Sequence, residues 1–147
     1  GFTVDNEKLP AFVERLYALA AQQLETVELR PVLQVDAEVD LSHLRADLLH
    51  DLDLLQPTGM GNRQALFLTR NALVKSQRAI GKESTHLKLR LEDNFHVSHD
   101  AIAFRFGHLA GNLPNRVDLI FAFEKNEYNG QSYLQLNIRD IRPTSIS

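Results

Sequence analysis

Hydrophobic and polar residues alternate most regularly between Gly81 and Phe106. Leu87, Leu89 and Leu91 take every second place, and His86, Lys88 and Arg90 fill the places between. Successive side chains of a β-strand point to opposite faces, so this run predicts a strand with a leucine face and a basic, histidine-bearing face. A second run follows, with Ile102, Phe104 and Phe106 on one side and Ala101, Ala103 and Arg105 on the other. Beside the first strand it adds an apolar side to the leucines and a small, basic side to the cations. Two such strands form a surface able to hold a polyanion.

Similar runs predict five strands in all, over residues 65–79, 84–92, 99–106, 116–125 and 131–141. The fourth turns Val117, Leu119, Phe121 and Phe123 inward. In the fifth, Leu134, Leu136 and Ile138 alternate with Tyr133, Gln135, Asn137 and Arg139. Asn129 and Gly130 between them both accept positive φ and signal a hairpin. Gly107 to Asn115, with Gly111 and Pro114, suits a short helix or loop. The predicted class is mainly β with α. Five strands with a break after the third match an OB-type Greek-key barrel, although SH3-like and other small barrels give similar runs.

Upstream the period changes. Leu9, Phe12, Val13, Leu16, Ala20 and Leu24 recur at helical spacing, so residues 7–24 predict an amphipathic helix with Asp5 or Asn6 as its cap. Residues 26–39 alternate weakly around Pro31 and read as an edge strand or connector. Leu41, Leu44, Leu48, Leu52 and Leu55 predict a second helix over 41–55, capped by Asp40. Pro57, Gly59 and Gly61 then stop it. Residues 1–55 are thus expected to form a helical and extended appendage, and residues 56–147 the barrel.

Charge sharpens that division. The chain carries −3 overall. Residues 1–55 hold four basic and eleven acidic residues, a net −7, whereas residues 56–147 hold twelve and eight, a net +4. Such asymmetry is expected of two units with different partners. With 44% hydrophobic and 24% charged residues the composition is globular rather than disordered. Cysteine is absent, which excludes disulfides and thiolate metal sites and fits a reducing, cytoplasmic setting. No apolar run approaches the roughly 18 residues of a membrane span, and no signal peptide is evident.

An OB barrel holds its ligand across strands two and three, between the first–second and fourth–fifth loops. On that layout the candidate nucleic-acid-binding residues are Lys75, Arg78 and Lys82, then His86, Lys88 and Arg90 on strand two and Arg105 on strand three. Lys125 and Tyr128 belong to the fourth–fifth loop, beside Asn126. Cations follow a phosphate backbone, and an aromatic ring stacks a base of any identity. A solvated polar face is the competing explanation. No candidate for catalysis emerges: the zinc-protease, P-loop and nucleophile-elbow patterns are missing, and Gly59-x-Gly61 follows a helix rather than a strand. His43 and His50 lie too far apart on one helix to share an ion, and His96, His99 and Asp100 lack further ligands at suitable spacing. Asp36 and Glu38 read as solvent-facing or capping.

Several of these stretches together resemble a known family. They are Gln56 to Asn62 (QPTGMGN), Gly81 to Leu89 (GKESTHLKL), Ala101 to Phe104 (AIAF), Asn126 to Gly130 (NEYNG) and Leu134 to Pro143 (LQLNIRDIRP). In this order they resemble the C-terminal part of the RecJ family, bacterial single-stranded-DNA-specific exonucleases of the DHH superfamily. The resemblance implies a 5′→3′ exonuclease of repair and recombination that uses manganese or magnesium. It also implies that its metal ligands sit in a DHH domain upstream of this chain. Residues 1–55 would then be the end of the DHH-associated domain and its linker, and residues 56–147 an OB module that binds but does not cut. Its implied partners are single-stranded DNA, the DHH domain of the same chain and single-stranded-DNA-binding protein. Thr58 stands where the family usually has phenylalanine, Arg63 where it often has proline, and Tyr128 where tryptophan is common.

Overall fold

The structure, a computed structural model, describes residues 1, 3–25, 32–128 and 130–144, excluding the side chain of Tyr128. The expected alternation at Val27 and Leu29, and Asn129 of the hairpin, lie outside the described residues. The chain forms two compact units, Gly1–Leu33 and Gln34–Ser147.

In the first unit a 3-10 turn, Asn6–Lys8, runs into α1 (Leu9–Leu24), with Pro10 in the first turn where a missing N–H is harmless. No residue of α1 is buried, and Leu9, Leu16, Leu19 and Leu24 are about half exposed.

The second unit starts with β1 (Ala37–Glu38), a 3-10 turn (Leu41–His43) and α2 (Ala46–Asp53). Five strands follow: β2 (Phe67–Ile80), β3 (His86–Glu92), β4 (Ser98–Ala103), β5 (Arg116–Tyr128) and β6 (Gln131–Pro143). Their order is β2-β3-β4-β6-β5, and β5 pairs back onto β2, closing the barrel. β4 and β6 run parallel while the other barrel pairs are antiparallel. This is the five-stranded OB topology that the alternation predicted. β2 serves both sides of the barrel and bends at two irregularities, one between Thr69 and Ala72 and one between Val74 and Ser76. Asn71 sits in the first with φ 58. Bulges of this kind let one strand turn a barrel corner.

Three expectations change. The unit boundary falls between Leu33 and Gln34, not after Leu55. Leu41, Leu44 and Leu49 are buried in the same cluster as Leu89, Leu119 and Phe121. The expected helix 41–55 is two pieces, because Leu44 (ψ 86) and Arg45 leave helical geometry, and Asp40 makes no capping side-chain bond. The cap comes from across the barrel: the Asp93 carboxylate accepts the Ser42 N–H at 2.8 Å. Most importantly, the faces of β4 are reversed. Ala101 and Ala103 are wholly buried, opposite Leu89 and Leu87, while Ile102 lies on the outer wall. A narrow barrel interior that accepts a row of leucines from β3 has room only for methyl groups opposite them. β4 ends at Ala103, so Phe104 and Arg105 leave the strand altogether, and Phe106 packs against the core.

Redrawing the boundary changes the electrostatics. The unit Gln34–Ser147 contains thirteen basic and fourteen acidic residues, a net −1. Whatever attracts a polyanion must be a local arrangement on its surface.

Candidate nucleic-acid interface

The outer wall of β2, β3 and β4 is ordered by register. One row runs from Arg78 on β2 to Lys88 on β3, Ile102 on β4 and Asn137 on β6. The next runs from Ser76 to Arg90, Asp100 and Gln135. Cross-strand neighbours stand about 4.5–5.5 Å apart at Cβ. Arg78, Lys88 and Arg90 therefore form one cationic triangle on two hydrogen-bonded strands. The leucine-face argument for β3 holds: Leu87, Leu89 and Leu91 are buried.

The triangle is tempered by an acid that its own strand does not carry. Arg90 Nη1 donates to Asp100 Oδ1 at 2.8 Å, and Lys88 Nζ lies 3.8 Å from Asp100 Oδ2. At the lower end of β3, Lys75 lies 3.5 Å from Glu92. Burial raises the Glu92 carboxyl, but the hydrogen bond from His96 and the charge of Lys75 outweigh it and hold the group below its usual range. Arg78 and Lys82 form no ion pair among the described residues, and both are exposed.

The upper end of the face is aromatic. His86 heads β3, and its Nδ1 accepts the Arg105 N–H at 3.2 Å. Its ring meets Phe104 edge-on, with centroids 5.2 Å apart and planes at 73°. Gly81 lies against the other side, where an added Cβ would come within 3.0 Å of the imidazole. The chain leaves β4 through Arg105 in the left-handed region, φ 68, and Phe104 stays 48% exposed. Sequence reasoning placed Phe104 in the core; the end of the strand at Ala103, three residues earlier than expected, would have had to be known to move it outside.

Of the remaining candidates, Lys125 lies apart from this centre. Lys125 is held by Glu127 at 2.9 Å, and that hydrogen bond and charge raise its pKa. It lines a cleft of about 310 Å³ between α2 and β5 with Leu49, Leu52, Arg63 and Phe123. Tyr128's side chain lies outside the described residues. Arg105 is exposed, but its position is in the turn after β4 rather than on the strand.

His96, His99 and Asp100, set aside as a metal site for want of further ligands, do not converge. His99 turns inward and its Nε2 lies 3.0 Å from the Leu41 carbonyl, whereas Asp100 faces outward. Burial pushes the His99 pKa down; the Leu41 bond and the nearby carboxylates only partly oppose this. Asp36 accepts the Leu66 N–H, and Glu38 pairs with Arg70, so both carboxylates tie β1 to β2. Among the described residues no three histidine, aspartate or glutamate side chains gather where they could hold a metal, and no helix is long and apolar enough to cross a membrane.

Comparison with known proteins bears on this barrel directly. The single-stranded-DNA-specific exonuclease RecJ of Bacillus subtilis is 29% identical over 142 residues, which is 95% of this chain and 18% of that protein. The Thermus thermophilus exonuclease of the same name is 31% identical, over 97% of this chain and 20% of its own length. The crystal structure of Thermus thermophilus RecJ in complex with Mn²⁺ superposes with a TM-score of 0.73 at 29% identity, covering 99% of this chain and 21% of that one. The chain thus spans about a fifth of the relatives it matches. Residues 35–140 match the RecJ OB domain, a part of RecJ distinct from its catalytic domain, and their start agrees with the unit boundary at Gln34. The chain belongs to the RecJ OB domain family.

Proposed function

We propose that the outer wall of β2, β3 and β4 binds single-stranded DNA, as a non-catalytic module of a RecJ-like 5′→3′ exonuclease of repair and recombination. The observation that carries the reading is the triangle of Arg78, Lys88 and Arg90 on adjacent strands, in a unit whose net charge is slightly negative. A cationic cluster against that background supplies a place for phosphates rather than a general affinity for polyanions. The remaining domains of the longer protein are the proposed partner in the same chain, and any manganese or magnesium would be held there.

The test is a salt titration of oligothymidylate binding by the whole chain, followed by fluorescence anisotropy. Three neutralised phosphates give a slope of about −2 in log K against log salt, at roughly −0.7 per phosphate on a single strand. The double variant Lys88→Ala/Arg90→Ala is expected to flatten that slope by about 1.4 and to weaken binding about tenfold or more at low salt. A folded double variant with wild-type affinity refutes the assignment of this wall. A second reading, docking of a repair partner such as single-stranded-DNA-binding protein, is favoured by the α2–β5 cleft, which Leu49, Leu52 and Phe123 line together with Arg63, Lys125, Asp53 and Glu124. Partner binding that survives high salt and is lost in Leu52→Asp supports it.

A further inference from the structure

The outer wall carries a second exposed aromatic that the cationic triangle does not use. Tyr133 on β6 is 49% exposed and pairs in register with Asn126. It lies on the same side as Gln135, opposite to the inward Leu134 and Leu136, and Gln135 is the cross-strand neighbour of Asp100. Tyr133 therefore belongs to the same wall as Arg90 and Lys88, at the end away from Phe104. The parallel register of β4 and β6 sets the distance between the two rings. Phe104 lies four positions beyond Asp100, and Tyr133 two positions before its partner Gln135. Five strand positions at about 3.3 Å each, with Phe104 one residue past the end of β4, separate the rings by about 17–20 Å.

We infer that Phe104 and Tyr133 are two base-stacking anchors that bracket the cationic triangle and define a site for about six nucleotides of single-stranded DNA. The inference rests on the DNA-binding reading and gives it a length. Both rings are half covered and fixed from the side: Phe104 by the edge contact with His86, and Tyr133 by the hydrogen bond its hydroxyl donates to the Gln131 side chain. A ring so held loses little freedom when a base stacks on it. At about 3.4 Å per nucleotide of a stacked strand, about 17–20 Å holds about five to six nucleotides, within the range of about 4–16 found for OB barrels. Between the anchors, Arg78, Lys88 and Arg90 face the phosphates and Ile102 offers an apolar floor.

The experiment compares the whole chain with Phe104→Leu and Tyr133→Leu on oligothymidylates of three to ten nucleotides. Wild-type affinity is expected to rise steeply to about six nucleotides and then level off. Each leucine variant is expected to bind about fivefold or more weakly, from roughly 1 kcal/mol or more per stacked base, with an unchanged salt slope. Tyr133→Phe keeps the stacking ring and loses only the Gln131 bond, so it is expected to bind more tightly than Tyr133→Leu. A hexamer with an abasic residue at one end should abolish the effect of one leucine variant and not the other. The inference is overturned if wild type binds with the expected salt slope while both leucine variants match it, or if the abasic end leaves both effects intact. Absence of any binding by the wild type would instead remove the DNA reading on which it stands.

Discussion

Asp100→Asn isolates the one acid at the centre of the proposed site. The substitution is nearly isosteric and leaves an amide able to accept from Arg90, so the wall keeps its shape. What changes is charge. A phosphate bound at Arg90 or Lys88 would sit roughly 7 Å from the Asp100 carboxylate, given the 2.8 Å and 3.8 Å contacts that the two cations already make with it. Two like charges at that distance repel by about 0.6 kcal/mol in bulk water and about 2 kcal/mol at an effective dielectric of 20. Asp100 is 43% exposed, so the lower end applies, and physiological salt with a Debye length of about 8 Å roughly halves it again. The net expectation is about 0.3 kcal/mol, or roughly one-and-a-half- to twofold tighter binding of oligothymidylate. The slope in salt should steepen by up to about 0.7, because Arg90 exchanges an internal counter-ion for a phosphate. Stability should barely move, since exposed pairs contribute about 0–1 kcal/mol. Asp47→Asn, which removes the acid paired with Arg45 before α2, is the matched control and should leave binding unchanged. Weaker or unchanged binding in a folded Asp100→Asn chain refutes the placement of Arg90 and Lys88 in the path of the strand.

Three further outcomes follow from the packing. Gly107→Ala places a Cβ 1.9 Å from the Ser84 carbonyl oxygen, so the turn after β2 must shift; we expect a cost of about 1–3 kcal/mol or more and a thermal midpoint lower by several degrees. Leu41→Ala empties a wholly buried position and should cost about 2–5 kcal/mol, which calorimetry would show; a neutral result contradicts the assignment of residues before Gln56 to the barrel. Acid should weaken the fold in two steps. His99 and Asp93 both have folded pKa values below their ordinary ones. Burial lowers that of His99, whereas for Asp93 the N–H donors of Val97, Ser42 and Phe95 overcome the upward push of burial. A lowered pKa means stability that is full above the unfolded value and is lost as pH falls through the folded one. The His99 contribution therefore begins to fade below about pH 6.5 and the Asp93 contribution below about pH 3.8. His99→Gln keeps a donor for the Leu41 carbonyl without titrating, and should flatten the first decline in thermal midpoint; a persistent decline assigns it elsewhere.

Strand positions were legible because a period of two is a local property. β3 was expected over 84–92 and occupies His86–Glu92, and β6 was expected over 131–141 and occupies Gln131–Pro143. The inward leucines and phenylalanines of β3 and β5 were read correctly for the same reason. The errors share a different cause: each depends on a neighbour distant in sequence. Ala101 and Ala103 alternate with Ile102 whichever way the strand is turned, and only Leu89 and Leu87 across the ladder decide that the small residues go inside. Leu41 and Leu44 keep helical spacing with Leu48, yet the chain breaks between them, since Asp93 receives the Ser42 N–H from 51 residues away. The cations His86, Lys88 and Arg90 were read from their own strand, without Asp100, which lies ten residues beyond Arg90 and directly opposite it.

The same cross-strand pairing bears on how the proposed site would work. Net charge alone would place the barrel among proteins indifferent to nucleic acid, because the unit Gln34–Ser147 carries fourteen acidic against thirteen basic residues. What distinguishes the outer wall is arrangement: Arg90 and Lys88 are extended toward a shared carboxylate and so are already held near the places a phosphate would occupy. Such pre-extension lowers the entropy lost on binding, while the retained acid lowers the affinity reached. On the DNA-binding reading the two effects act in opposite directions on the free energy, but both keep the contact local to a few phosphates. On that reading such a wall would release a strand readily at physiological salt, as suits a module that passes its ligand on rather than storing it.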